Sequence, residues 1–148
     1  LMKRVFFFTY IFLLSFSFSI FSSDGPRQKG KLVIEFKGLK SDNGKVIIAL
    51  CNNPENYDNH KSPFIGKFTS IDNNRAKIEF EELPFGEYAI KAFHDEDANA
   101  DLNTNIFGIP IEDYGFSNNA RSMFGPPSWE DAKFKFDREN QSMEILIK

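Results

Sequence analysis

A chain of 148 residues with 18 Lys+Arg against 21 Asp+Glu has a formal net charge of -3. That balance is too mild, and of the wrong sign, to draw nucleic acid or an anionic membrane surface. One cysteine (Cys51) excludes an internal disulfide, and with only His60 and His94 beside it no His/Cys zinc cluster of ordinary spacing can be built.

The first element is a secretory signal peptide. Lys3 and Arg4 precede an apolar run over residues 5–14, and small residues follow at Ser17, Ser19, Ser22 and Ser23. Cleavage is expected after Ser19, Ser22 or Ser23, making residues 1–23 the leader and 30–148 a single domain. The apolar stretch over 5–21 is short for a membrane span and is broken by Ser and Thr, so stable membrane insertion is not expected after cleavage. Removal of residues 1–19 takes Lys3 and Arg4 and no acid, which moves the net charge to -5. The protein is therefore expected outside the cytoplasm: periplasmic, at the outer envelope or secreted.

The remainder alternates with period two, the pattern of half-buried strands. Leu32, Ile34 and Phe36 form the first apolar row, and Val46, Ile48 and Leu50 form the next after a turn at Ser41, Asp42, Asn43 and Gly44. Cys51 ends this second row and reads as a small buried hydrophobe. A weaker strand covers residues 64–71 and ends at Asp72, Asn73 and Asn74. Ala76, Ile78 and Phe80 alternate cleanly, and Tyr88, Ile90 and Ala92 follow the turn at Pro84, Phe85 and Gly86. Ala132, Phe134 and Phe136, then Met143, Ile145 and Ile147, close the chain. About seven strands joined by turn chemistry predict an all-β fold, an antiparallel sandwich of prealbumin or immunoglobulin type. No helical period lasts three turns; a short helical turn is plausible at residues 127–131.

Between the fifth and sixth strands lies the segment 94–131, rich in Asp, Asn, Gly and Pro. A connection of this length in a small domain is usually functional or disordered. Disorder is disfavoured because Ile106, Phe107, Ile109, Tyr114, Phe116, Phe124 and Trp129 need apolar surroundings. The expectation is an ordered loop pinned by its aromatics and displaying an oxygen-rich tip.

Asp95, Asp97, Asn99, Asp101 and Asn103 place an oxygen-bearing side chain at every second position. Calcium takes six to eight oxygens, and a curled loop can point such residues inward together. The match weakens at Ala100, where glycine would ease the turn, and at Ile106, where a closing Glu is expected. Glu112 or Asp113 are candidates to complete the shell. The competing reading is a solvated turn in which Asp and Asn cap their own backbone. His94, Asp95 and Ser117 invite a hydrolase reading, yet Ser117 has no nucleophile elbow around it. His94, Glu112, Tyr114 and Trp129 are the further candidates to face a ligand.

Several runs occur here in a telling order: GKVIIAL (44–50), ELPFGEYAI (82–90), HDE (94–96), GIP (108–110), YGFSNNA (114–120), FGPP (124–127) and DA (131–132). The chain resembles the bacterial family catalogued as domain of unknown function 2141, small exported proteins, from about Leu32 to its end. That family usually shows His-Asp-Glu-Asn-x-Asn-Gly with an Asp a few residues later; here Asp97 stands at the first Asn, Ala100 at the Gly and Asn103 at the later Asp. The resemblance implies no activity. The LPFGEY run also looks like a hairpin of prealbumin-like surface domains, a likeness of fold alone. The expected function is an exported, non-enzymatic binding or structural module of the bacterial envelope. Its long loop is expected to bind calcium weakly and to contact a protein or glycan; the alternative is a hydrolase using His94 and the loop carboxylates.

Overall fold

The computed structural model describes residues 28–59 and 62–148; the leader assignment and His60 lie outside them. The apolar rows fold into two sheets facing one another. Strands β1 (Lys29–Lys37), β4 (Ile71–Asp72), β5 (Arg75–Pro84) and β9 (Asn140–Leu146) form one, in the order β4-β5-β1-β9. Strands β2 (Lys45–Cys51), β3 (Ile65–Thr69), β6 (Gly86–Asp95) and β7 (Tyr114–Phe116) form the other in the order β3-β2-β6-β7, with β8 (Phe134–Phe136) also pairing β6.

The protein is thus an all-β sandwich. Leu32, Ile34 and Phe36 of β1 meet Val46, Ile48 and Leu50 of β2 and Ile90 of β6 in one buried cluster, with Phe80, Phe136, Ile145 and Ile147 filling it. Burying large side chains of this kind stabilises the fold by roughly 1.5–3 kcal/mol each.

Three local features differ from the sequence expectation. The weak strand at 64–71 is two strands: β3 lies in the five-stranded sheet, and after Ser70 the chain crosses to the other sheet as β4. A strand that changes sheets makes a corner of the sandwich. Asn73 and Asn74, both at positive φ, then turn β4 into β5, the conformation that a two-residue hairpin loop demands. Second, β1 and β9 pair in parallel, Ile34 opposite Met143, although the neighbouring β1–β5 pair is antiparallel. Third, a short helix α1 (Pro54–Asp58) follows β2. Its signal was present: the Asn53 side chain accepts from the Asn56 N–H at 2.8 Å, and proline stands in the first turn. The turn foreseen near 127–131 is helix α2 (Trp129–Ala132), capped by the Ser128 side chain accepting from the Asp131 N–H.

Period two gives the five-stranded sheet an outer face as well. Lys45, Ile47, Ala49 and Cys51 stand opposite Asp95, Phe93, Lys91 and Ala89. One end of this face is covered by a second apolar cluster of Cys51, Tyr57, Ala89, Phe116, Trp129 and Ala132. Tyr57 and Trp129 meet edge to face at 5.8 Å, and the Tyr57 hydroxyl donates to the Pro127 carbonyl at 3.0 Å. Burial pushes the Tyr57 hydroxyl pKa well above its ordinary value. The opposite end of the face carries Asp95 and the long loop.

Candidate functional site

The loop is built around two inward carboxylates. Asp95 closes β6 and is fully buried; its Oδ1 accepts from the Asn99 N–H and its Oδ2 from the Ala100 N–H, both at 3.0 Å. Glu112 lies further along the chain, yet its Oε1 accepts from the Glu96 N–H at 3.1 Å and its Oε2 from the Asn103 N–H at 2.9 Å. Four backbone donors that no strand satisfies are thereby paired with carboxylate oxygens. Lys45 adds a cation 3.6 Å from Asp95.

Asp97 is the exposed member. Its Oδ2 accepts from the side-chain amides of Asn99 and Asn103, each at 2.9 Å, and its Oδ1 from the Asn99 N–H at 3.2 Å. Hydrogen bonding, led by Asn103, holds its carboxyl pKa below the usual aspartate value. Asp95, Asp97 and Glu112 each bring one oxygen within 4.8 Å of the others. Asn99 and Asn103 serve this group as hydrogen-bond partners, with the Asn99 side-chain oxygen accepting from the Asp101 N–H at 2.7 Å. The Asp101 carboxylate is not in the cluster, and Glu112 is. Ala98 and Ala100 both have positive φ, so the position where glycine was missed does impose the turn that glycine would ease.

His94 faces inward. It is fully buried, and its Nε2 lies 2.7 Å from the Asn43 carbonyl oxygen. That oxygen can only accept, so Nε2 carries a proton. Among the described residues Nδ1 has no hydrogen-bond partner, and it lies 3.7 Å from the Glu96 carboxylate. Ser117 is also buried; its Oγ accepts from the Ile90 N–H at 2.9 Å and donates to the Ala132 carbonyl at 2.6 Å. Ile90 and His94 are four residues apart on β6, about 13 Å of strand, so no Ser–His pair forms. Ser117 fastens the returning loop to the sheet. Trp129 is buried in the second apolar cluster and Glu112 in the loop; of the candidates to face a ligand, half-buried Tyr114 borders open space.

Between the carboxylate end and the helical end lies a groove of about 640 Å³, within the size range of ligand pockets. Its floor is Ile47, Ala49 and Phe93, and Phe68 of the edge strand forms one side. Leu102, Pro110, Gly125 and Pro126 of the long loop border it.

The same loop overturns one expectation. Tyr114, Phe116 and Trp129 do find apolar surroundings, but Ile106 is 91% exposed, Phe107 80% and Phe124 86%. Ile109, Ile111 and Met123 are exposed as well. The turn at residues 96–101 does carry exposed oxygens, those of Asp97, Asn99 and Asp101 among them. Asp95 and Glu112 turn inward to hold the backbone, and the apolar residues beyond it stand in water as well.

The ordered runs that flank this loop decide the family. The chain belongs to the bacterial family described as "Uncharacterized protein conserved in bacteria (DUF2141)". The family model matches residues 34–144, which spans β1 to β9 and the whole loop. No curated protein and no solved structure matches the chain significantly.

Proposed function

We propose that this chain is an exported, non-enzymatic binding module of the bacterial cell envelope whose working face is the groove and the loop tips beside it. The observation that carries this reading is the exposure of Ile106, Phe107, Ile109, Ile111, Met123 and Phe124 on one internally hydrogen-bonded loop. Large apolar side chains grouped in water mark an interaction surface. Four of the six are aliphatic and offer a sugar neither a stacking face nor a hydrogen bond, which favours an apolar partner over a glycan.

The test is fractionation of the producing bacterium. The native protein is expected in the envelope fraction, with an N-terminus between Ile20 and Asp24. The double variant Ile106→Ser/Phe107→Ser is expected to keep its melting temperature, because exposed positions change stability by roughly 0.5 kcal/mol or less, and to leave that fraction. An N-terminus at Met2 or Lys3 would refute export. Unchanged retention of the double variant would refute the binding face.

Calcium is a second reading, favoured by the convergence of Asp95, Asp97 and Glu112. Three carboxylates this close repel unless bridged or hydrogen-bonded. A calcium ion bound there would raise apparent stability by about 2.7 kcal/mol at a hundredfold excess over Kd. Affinity is expected to be weak, Kd about 10⁻⁴–10⁻³ M, since the asparagine oxygens are already engaged. Asp97→Ala should abolish the thermal shift and Glu139→Ala should not. A melting temperature unmoved by ~10 mM calcium, measured against a chelator control, would leave Lys45 and the backbone and asparagine N–H groups to balance the carboxylates.

A further inference from the structure

We infer that the two apolar loop tips dock this protein on a lipid bilayer surface by shallow insertion of Ile106, Phe107, Met123 and Phe124. The inference rests on the binding-face reading above and names the partner of that face.

Four observations favour lipid. Residues 102–111 contain no charged side chain, nor do residues 122–129, in a chain that is 26% charged. Charges at either tip would oppose entry into an acyl layer, and the absence is local to the exposed apolar positions.

Much of the polar backbone of the first tip is also satisfied from within. Thr104 and Pro110 bridge the hairpin, Asn105 N–H donates to the Ile109 carbonyl at 2.8 Å, and Gly108 N–H donates to the Asn105 carbonyl at 2.9 Å. The Asn105 side-chain oxygen accepts from the N–H groups of Phe107 and Ile109, and Ile111 N–H donates to the Asn103 carbonyl. A backbone most of whose donors are already paired loses less when water is withdrawn. The second tip follows suit: Ser122 Oγ accepts from the Phe124 N–H and donates to the Phe124 carbonyl.

Third, both tips belong to segments bordering the same groove, through Leu102 and Pro110 on one side and Gly125 and Pro126 on the other. The bases of the two tips thus lie at one groove, and docking brings both tips to one bilayer surface. Fourth, the charged residues lining that groove are of both signs, Lys67 and Lys91 with Asp101. Mixed charge suits a zwitterionic headgroup layer, and the acidic net charge rules against attraction to an anionic one. Binding then comes from apolar insertion, which scales with the apolar area buried.

The test uses the chain starting at Asp24, so that residues 1–23 contribute nothing. Every residue of both apolar clusters lies between Leu32 and Ile147, and this chain keeps the whole described core. It is expected to sediment with phosphatidylcholine vesicles. Ile106→Ser/Phe107→Ser should lower the partition coefficient at least about tenfold, and Met123→Ser/Phe124→Ser should lower it further, with both variants melting as the parent does. Tryptophan in the variant Phe107→Trp should shift its emission to the blue on vesicles and be quenched by brominated lipid.

Absence of vesicle binding overturns the lipid proposal, as does binding untouched by the tip substitutions. If the double variant nevertheless leaves the envelope fraction, the binding face stands and its partner is a protein. If it does not, both readings fall. A dimer in sedimentation velocity that the same substitutions split would make a second copy of this chain the occupant, and would also overturn the lipid proposal.

Discussion

Asp95→Ala is expected to lower the unfolding free energy by about 3 kcal/mol, because hydrogen bonds to a charged group contribute roughly 1.5–3 kcal/mol each and Asp95 accepts two of them while fully buried. The Asn99 N–H keeps Asp97 Oδ1 as an acceptor and the loop can relax to hydrate the Ala100 N–H, which keeps the loss near the lower end of the sum. Asp95→Asn retains one acceptor oxygen and should cost about half as much. Urea unfolding gives the magnitude. Hydrogen exchange gives the location: the amides of Asn99 and Ala100 should lose protection first, with the sheet amides of β2 and β6 following only to the extent of the global loss. Retained protection at both amides in Asp95→Ala would show that the loop does not depend on this carboxylate.

Acid should act on the same loop through Asp97. Its folded pKa lies below the ordinary 3.8, so its contribution is fully present above that value and is lost as pH falls through the lower folded value. The part of the loop's order that depends on the Asp97 carboxylate should therefore be lost only in strong acid, which amide exchange at Asn99 against pH would read.

Gly44→Ala is expected to cost about 3 kcal/mol or more. Gly44 has a φ of +70°, and a Cβ there would lie 1.9 Å from the Asp95 carbonyl oxygen and 2.8 Å from Glu96 Cα. No side-chain rotation relieves a clash with backbone. The only escape is to part the start of β2 from the end of β6, where Lys45 pairs with Asp95, and that would loosen the Asn43 carbonyl from His94. The variant should show a lower melting temperature and faster exchange at both strand ends. Gly108→Ala provides the contrast: its φ is also positive, but among the described residues nothing lies within 4 Å of the added carbon, so its cost should stay near the ~1 kcal/mol of an alanine in a left-handed position. Equal losses in the two variants would mean that backbone conformation, not the contact with Asp95, sets the effect at Gly44.

The two substitutions bracket what was legible beforehand. The turn at residues 41–44 and the strands on either side of it announced themselves, because alternation and turn residues are local signals. The acidic character of the loop was equally visible. That Asp95 pairs with the backbone of Asn99 and Ala100 is a short-range event of the kind Asp is suited to. That Glu112 completes the cluster and Asp101 does not depends on how far the chain travels before it returns, and nothing local encodes that distance.

Exposure divides along the same line. Apolar identity states what a side chain would gain by burial, not whether any other surface is left to cover it. For Phe116 and Trp129 the outer face of the five-stranded sheet supplied a partner. For Phe107 and Phe124, carried outward on turns that bond their own backbone, the described fold supplied none. Local chemistry in the sequence by itself thus determined an all-β chain, its main strand and turn positions and the place of the long loop. Long-range packing decided which strand became parallel, which carboxylates met and which apolar residues were left in water, because each depends on groups far apart in the chain competing for the same space.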